Sequence, residues 1–127
     1  MPKPKVLVVD DVRLTAELAL AMLAHGGVEA EAVNSGERAL AWLDANEAAL
    51  ILSDWYMPEM NGAQFAEAVV KRRGPKRPWM VAYTAYNDAE ERNKILAAGF
   101  DDVLKKPARA DVLASAVKLW LERPRAD

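Results

Sequence analysis

The chain has 127 residues, no cysteine, and 17 Lys plus Arg against 19 Asp plus Glu, for a net charge of −2. That length suits one compact domain; the missing cysteines exclude a disulfide framework, a thiolate metal site and a cysteine nucleophile; and the slight acidic excess argues against a general nucleic-acid binder. A hydrophobic fraction of 52% beside 28% charged residues is an ordinary globular composition, and no apolar run is long enough to cross a bilayer.

The opening Met1-Pro2-Lys3-Pro4-Lys5 leads directly into a short apolar run, without the longer apolar region of a signal peptide. The expectation is a cytoplasmic chain, with residues 1–127 as a single domain. Lys5–Val9 is nearly all apolar and is predicted as a strand buried on both faces. Arg13–His25 carries Leu14, Leu18, Ala21 and Met22 at helical spacing, and Gly26 ends it. Glu29–Val33 alternates polar with apolar, which predicts an edge strand. Ser35 is placed to cap a helix over Glu37–Asn46, with Leu40 and Leu43 facing inward. Leu50–Ser53 is a second strand of the fully buried kind. A helix over Ala63–Arg73 stops at Gly74, and the cations Lys71, Arg72, Arg73, Lys76 and Arg77 read as a solvated helix end that suits the dipole.

Trp79–Tyr83 is the fourth strand, and Trp79 is expected to be partly buried. Ala89–Ala98 follows as a helix, with Asp88 and Glu91 spaced as a capping box and Gly99 as its stop. Asp102–Leu104 and Arg109–Glu122 complete the series, the latter with Val112, Leu113, Ala116, Val117, Trp120 and Leu121 on one face. Five strands alternating with five helices give an α/β fold: a parallel sheet, helices on both sides, right-handed crossovers. Ligands of such sheets bind outside the carboxyl ends of the strands.

At those ends stand Asp10 and Asp11 after the first strand, Asp54 after the third, Thr84 after the fourth, and Lys105-Lys106-Pro107 after the fifth. Three adjacent carboxylates resist ionisation together, and a divalent cation removes the conflict. A set of carboxylate and carbonyl oxygens suits Mg²⁺; Mn²⁺ fits as well. A carboxylate can also attack phosphorus to form an acyl phosphate, a reaction that chiefly needs positioning and charge neutralisation. Adjacent aspartates, a Thr at a strand end or a Lys before Pro are each commonplace. Their coincidence at successive strand ends is the signal.

On these residues the chain resembles the receiver domain of two-component response regulators, the chemotaxis response regulator among them. The likeness runs from "KVLVVDD" (Lys5–Asp11) through "SDWYMPEMNG" (Ser53–Gly62) and "YTA" (Tyr83–Ala85) to "GFDDVLKKPA" (Gly99–Ala108). It implies a doubly wound, flavodoxin-like sheet of order 2-1-3-4-5. It implies Asp54 as phosphoacceptor, and Asp10, Asp11, Asp54 and the backbone carbonyl of Tyr56 as Mg²⁺ ligands. Thr84 would be the switch hydroxyl and Lys106 the site lysine, followed by a cis bond to Pro107. The donor would be a histidine kinase or a histidine phosphotransfer protein. A downstream protein would read the face made by the fourth helix, fifth strand and fifth helix, on a monomer or weak dimer, with no nucleic acid or membrane partner. The receiver would catalyse only its own phosphorylation and slow dephosphorylation.

Val103 stands where the family often has the aromatic partner of the Thr switch, so relay here would rest on backbone and helix shifts or be weak. Tyr56 and Tyr86, two residues after Asp54 and Thr84, flank the approach of the hydrolytic water in the family. They are expected either to shield an acyl phosphate or simply to cover surface. The alternatives are a pseudo-receiver that binds without phosphorylation, a receiver fragment of a hybrid histidine kinase, and a phosphatase of the haloacid-dehalogenase type. The last would need Asp-x-Asp on the first strand, where this chain has Asp10-Asp11. His25 ends the first helix, where a cation suits the dipole, and carries little functional weight. Trp55 is expected beside the site. Nothing after Glu122 has the length of an output domain, so the expectation is a stand-alone regulator or a piece of a larger protein.

Overall fold

The structure, a computed structural model, describes residues 5–85 and 88–124. Strands β1 (Val6–Val9), β2 (Ala30–Val33), β3 (Leu50–Ser53), β4 (Trp79–Thr84) and β5 (Asp102–Lys105) form one parallel sheet of order β2-β1-β3-β4-β5. Helices α1 (Arg13–His25), α2 (Gly36–Ala45), α3 (Gly62–Arg73), α4 (Ala89–Ala98) and α5 (Ala110–Glu122) connect and follow them. The elements and the strand order match the sequence reading, with ends displaced by a residue or so. β4 and β5 each run one residue further, to Thr84 and Lys105, and a 3₁₀ turn over Gly74–Lys76 follows α3.

Strand alternation sorts the core into two layers. Val6, Val8, Leu50, Leu52, Val81 and Tyr83 face α1 and α5, meeting Leu23 and Val117. Leu7, Val9, Ile51, Met80, Ala82 and Val103 face the other way, onto α2, α3 and α4, meeting Leu43, Phe65 and Ile95. The central strands β1 and β3 are buried along their whole length, hence their unbroken apolar sequences. β2 lies at an edge, as its alternation predicts. Ser35 caps α2 by accepting from Arg38 N at 3.0 Å, and Leu40 and Leu43 are buried. α3 starts with a complete capping box between Asn61 and Gln64.

Two helix faces differ from the sequence reading. On α1 the predicted inward leucines point outward: Leu14 is 74% and Leu18 53% exposed, while Ala16, Ala19 and Leu23 are buried. The helix carries two apolar stripes, and the one with alanines seats it closer to its neighbours. The contact with α5 shows how close: a Cβ on Gly26 would lie 2.4 Å from the Ala114 Cβ. Gly26 is therefore needed for close approach rather than for turning; the left-handed residue that ends the helix is Gly27, at φ 85°. On α5, Val112 is half exposed, and the buried line is Leu113, Ala114 and Val117. Trp120 packs partly buried against that cluster, its ring tilted at 54° to that of Trp79 with the centroids 5.0 Å apart.

Neither partner in the Gly26–Ala114 contact can rotate away. Gly26→Ala is expected to cost about 1–3 kcal/mol, read as a lower urea midpoint, and adding Ala114→Gly should recover much of the loss.

Candidate functional site

The strand register sets the site. Asp54 N donates to Val9 O at 2.9 Å, extending the β1–β3 pairing by one bond and bringing Asp54 out beside Asp10. Lys106 N donates to Thr84 O at 2.8 Å and fixes the ends of β4 and β5 in the same way. The Lys106–Pro107 bond is cis, as the resemblance implied. Just beyond it, Ala108 N donates to the Tyr83 hydroxyl at 3.0 Å. The loop after β3 turns through Glu59 at φ 66° and enters α3 at Gly62. A Cβ on Gly62 would lie 2.6 Å from the Trp55 ring and 3.0 Å from its backbone. Trp55 thus packs under the loop, edge-on to Phe100 at 5.9 Å.

Among the described residues, Asp10, Asp11 and Asp54 each bring a carboxylate oxygen within 4.8 Å of the other two. The three differ in what they already hold. Asp10 is buried, with Oδ1 accepting from Val12 N at 2.9 Å and Oδ2 from the Thr15 hydroxyl at 2.8 Å. Asp11 is exposed. Asp54 is half-buried, and its Oδ1 accepts from Tyr56 N at 3.3 Å. A cleft of about 410 Å³ opens on the α1 and β2 side of the acid pair, lined by Asp10, Asp11, Arg13, Asn34 and Arg38 among others.

Lys106 joins the carboxylates. Its Nζ lies 2.6 Å from Asp10 Oδ2 and 3.2 Å from Asp54 Oδ2, and 5.5 Å from the centre of the Tyr83 ring. Lys105 is exposed instead. Burial raises the Asp54 carboxyl above its usual value; the Lys106 charge opposes this and the Asp10 charge adds to it. For Lys106, burial is the largest single influence and pulls its value down, but hydrogen bonds and charges from Asp10 and Asp54 together raise it above the usual lysine value.

Thr84 is completely buried, and its hydroxyl has no hydrogen-bond partner among the described residues. An unmatched buried hydroxyl costs about 1–3 kcal/mol, so it marks a place where a hydrogen-bonding group is wanted. Val103 is buried in the core beside α4, and its carbonyl accepts from Arg92 at 3.2 Å; a valine therefore fills the position where an aromatic ring was of interest. Tyr56 is half exposed, and its hydroxyl donates to Glu91 Oε1 at 2.6 Å. Tyr86 lies outside the described residues. Thr15, Tyr83 and Glu91 each touch a site residue without being predicted as part of the site. Tyr83 sits in the YTA motif and Glu91 has capping-box spacing with Asp88, whereas Thr15 carries no local signal.

The family model for the response regulator receiver domain matches residues 6–118. This chain belongs to the receiver-domain family. The receiver is 33% identical over 120 residues to the sensor histidine kinase RcsC of Escherichia coli (strain K12), covering 94% of this chain and 12% of RcsC. It is 36% identical over 121 residues to the sensor histidine kinase GacS of Pseudomonas protegens, covering 92% of this chain and 13% of GacS. In structure it resembles the chemotaxis protein CheY4 of Vibrio cholerae, with a TM-score of 0.85 and 28% identity over 93% of this chain and 98% of that one. The receiver thus spans only about an eighth of the curated kinases it matches. Among the described residues no helix is long and apolar enough to cross a membrane.

The raised Asp54 value has a consequence for stability. A carboxyl that holds its proton more tightly folded than unfolded loses stability as the pH rises through the window above 3.8, its usual value. In EDTA at neutral pH the cost is fully present, so Asp54→Asn is expected to raise Tm. The gain should shrink as the pH is lowered toward 3.8; a gain independent of pH would contradict the burial argument.

Proposed function

We propose that this receiver accepts a phosphoryl group on Asp54 from a phosphohistidine donor, a histidine kinase or histidine phosphotransfer protein. The observation that carries the reading is the convergence of Lys106 with Asp10 and Asp54 at the end of β4, where Lys106 N bonds the Thr84 carbonyl and the buried Thr84 hydroxyl has no partner among the described residues. That is a site holding a carboxylate acceptor, a cation and a hydroxyl awaiting an acceptor oxygen.

The donor set fits Mg²⁺. Three carboxylates, with the backbone carbonyl of Tyr56 as a further oxygen, are hard ligands of the kind that ion takes. Asp11 and Asp54 have the freer oxygens, whereas Asp10 is committed to Val12, Thr15 and Lys106. Bound Mg²⁺ would supply positive charge to the acceptor carboxylate and the phosphoryl oxygens; Mn²⁺ would do the same.

The chain's own residues do the rest. A carboxylate oxygen of Asp54 forms the O–P bond while the P–N bond to the donor imidazole breaks, and the imidazole nitrogen keeps the electron pair. The Tyr56 backbone N–H orients Asp54 through Oδ1. The Lys106 ammonium already reaches Oδ2 and stays to offset the charge delivered. The Thr84 hydroxyl donates to a phosphoryl oxygen and loses its desolvation cost. Binding energy of this kind shifts a two-state equilibrium. With Val103 in the core, the shift is carried by backbone and helix movement at α4, β5 and α5, the face a protein partner would read. Tyr56 screens the acyl phosphate from water.

Residues 1–127 act as one cytoplasmic receiver unit in this reading. A place within a hybrid histidine kinase is the second reading, favoured by the likeness to RcsC and GacS. The test is incubation with acetyl phosphate and Mg²⁺ followed by intact mass. One added phosphoryl group is expected on the wild type and none on Asp54→Asn; an unmodified wild type would mark a pseudo-receiver.

A further inference from the structure

We infer that Glu91 is a positioning residue for the phosphoacceptor site, pinning the Tyr56 ring across its mouth and thereby lengthening the life of the acyl phosphate. The inference rests on Asp54 being phosphorylated, as proposed above, and adds a residue on a different element that slows hydrolytic loss of the phosphoryl group.

The observation is the 2.6 Å hydrogen bond from the Tyr56 hydroxyl to Glu91 Oε1. It joins residues 35 apart in sequence, and its length is that of a charge-assisted O–H···O⁻ bond. Tyr56 stands two residues beyond Asp54, and its backbone N–H already touches the Asp54 carboxylate. Glu91 lies in the first turn of α4, which begins shortly after β4 ends at Thr84. The bridge therefore spans from the loop after β3 to the helix after β4. These are the adjacent strands whose ends present Asp54 and Thr84. Exposed side chains on irregular loops change rotamer quickly unless they are held. Here the far end of Tyr56 is tied down.

The anchor itself is rigid. The sequence spacing of Asp88 and Glu91 suggested a capping box, and one half of it forms: Asp88 Oδ1 accepts from Glu91 N at 2.8 Å. The Glu91 carboxylate, the other half of that motif, is engaged by Tyr56 instead. The next residue, Arg92, ties the same turn to β5 through the Val103 carbonyl at 3.2 Å and Asp102 Oδ1 at 3.4 Å. Glu91 is thus held by its own backbone on one side and by its neighbour's side chain on the other.

Loss of the phosphoryl group requires water to attack phosphorus in line. The water oxygen forms a bond to phosphorus, the acyl P–O bond breaks, Asp54 leaves as a carboxylate, and inorganic phosphate and a proton are released. A ring held between the β3–α3 loop and α4 narrows that approach on the Thr84 side; a loose ring does not.

The experiment labels the full chain with radioactive acetyl phosphate in Mg²⁺, removes the donor, and times loss of label. Glu91→Ala and Tyr56→Phe are each expected to lose label about three- to tenfold faster than the parent. The double variant should be no faster than either single one. Glu91→Gln, whose amide oxygen can still accept from Tyr56, should stay near the parental rate. Parental decay in Glu91→Ala overturns the inference, as do additive effects in the double variant. If Glu91→Gln decays as fast as Glu91→Ala while Tyr56→Phe stays parental, Glu91 contributes only helix-end charge, and the inference is again overturned. A parent that takes no label overturns the proposed function and this inference together. Labelling with unchanged decay overturns this inference alone.

Discussion

Everything at this site depends on one ammonium group held between two carboxylates. Lys106 Nζ is 2.6 Å from Asp10 and 3.2 Å from Asp54, in surroundings where its side chain is only 15% exposed. Two carboxylates brought this close, one of them buried, repel each other, and the ammonium between them offsets that cost. Asp10 shows the extent of the commitment, since each of its oxygens accepts from a neighbour and one of them also takes the lysine. The lysine holds the place of a cation in the resting protein.

The fold exists to bring these groups together from distant parts of the chain. Asp10 and Lys106 are 96 residues apart. A parallel sheet with β1 beside β3 and β4 beside β5 sends all four strand ends to one edge. Single backbone bonds beyond the strands, Asp54 to Val9 and Lys106 to Thr84, fix their height. The two-layered core beneath is rigid because both faces of β1 and β3 are fully packed. Around this edge, the Tyr56–Glu91 bond and the Arg92 contacts to β5 link the acceptor loop with α4 and with the surface beyond it.

Much of this was legible in the sequence because the chemistry follows apolar runs of defined length. Val6–Val9 must end at Asp10, and Leu50–Ser53 at Asp54, so the run lengths alone put these acids at strand ends. Thr84 and Lys105 proved to be the last residues of β4 and β5, a shift that leaves Lys106 in place. What could not be read was decided by contacts between remote elements. α1 offers a leucine stripe and an alanine stripe, and only the close seat against α5 at Gly26 and Ala114 selects the alanines. Val112 has the right spacing for the core of α5 but lies at the margin of the packed face. Thr15, Tyr83 and Glu91 carry no period that points to the site; they reach it through side chains crossing from one element to another.

The central claim is that Lys106 supplies the positive charge that the Asp10 and Asp54 carboxylates share. Its most direct test is the rise in Tm on adding Mg²⁺, compared between the wild type and Lys106→Met. A ligand that binds only the folded state raises stability by an amount that grows with the logarithm of its affinity for that state. With the lysine present, Mg²⁺ must share oxygens that already have a counter-charge; without it, the ion meets uncompensated carboxylates. The account predicts a lower starting Tm and a larger Mg²⁺-induced rise in Lys106→Met. An equal or smaller rise would contradict it.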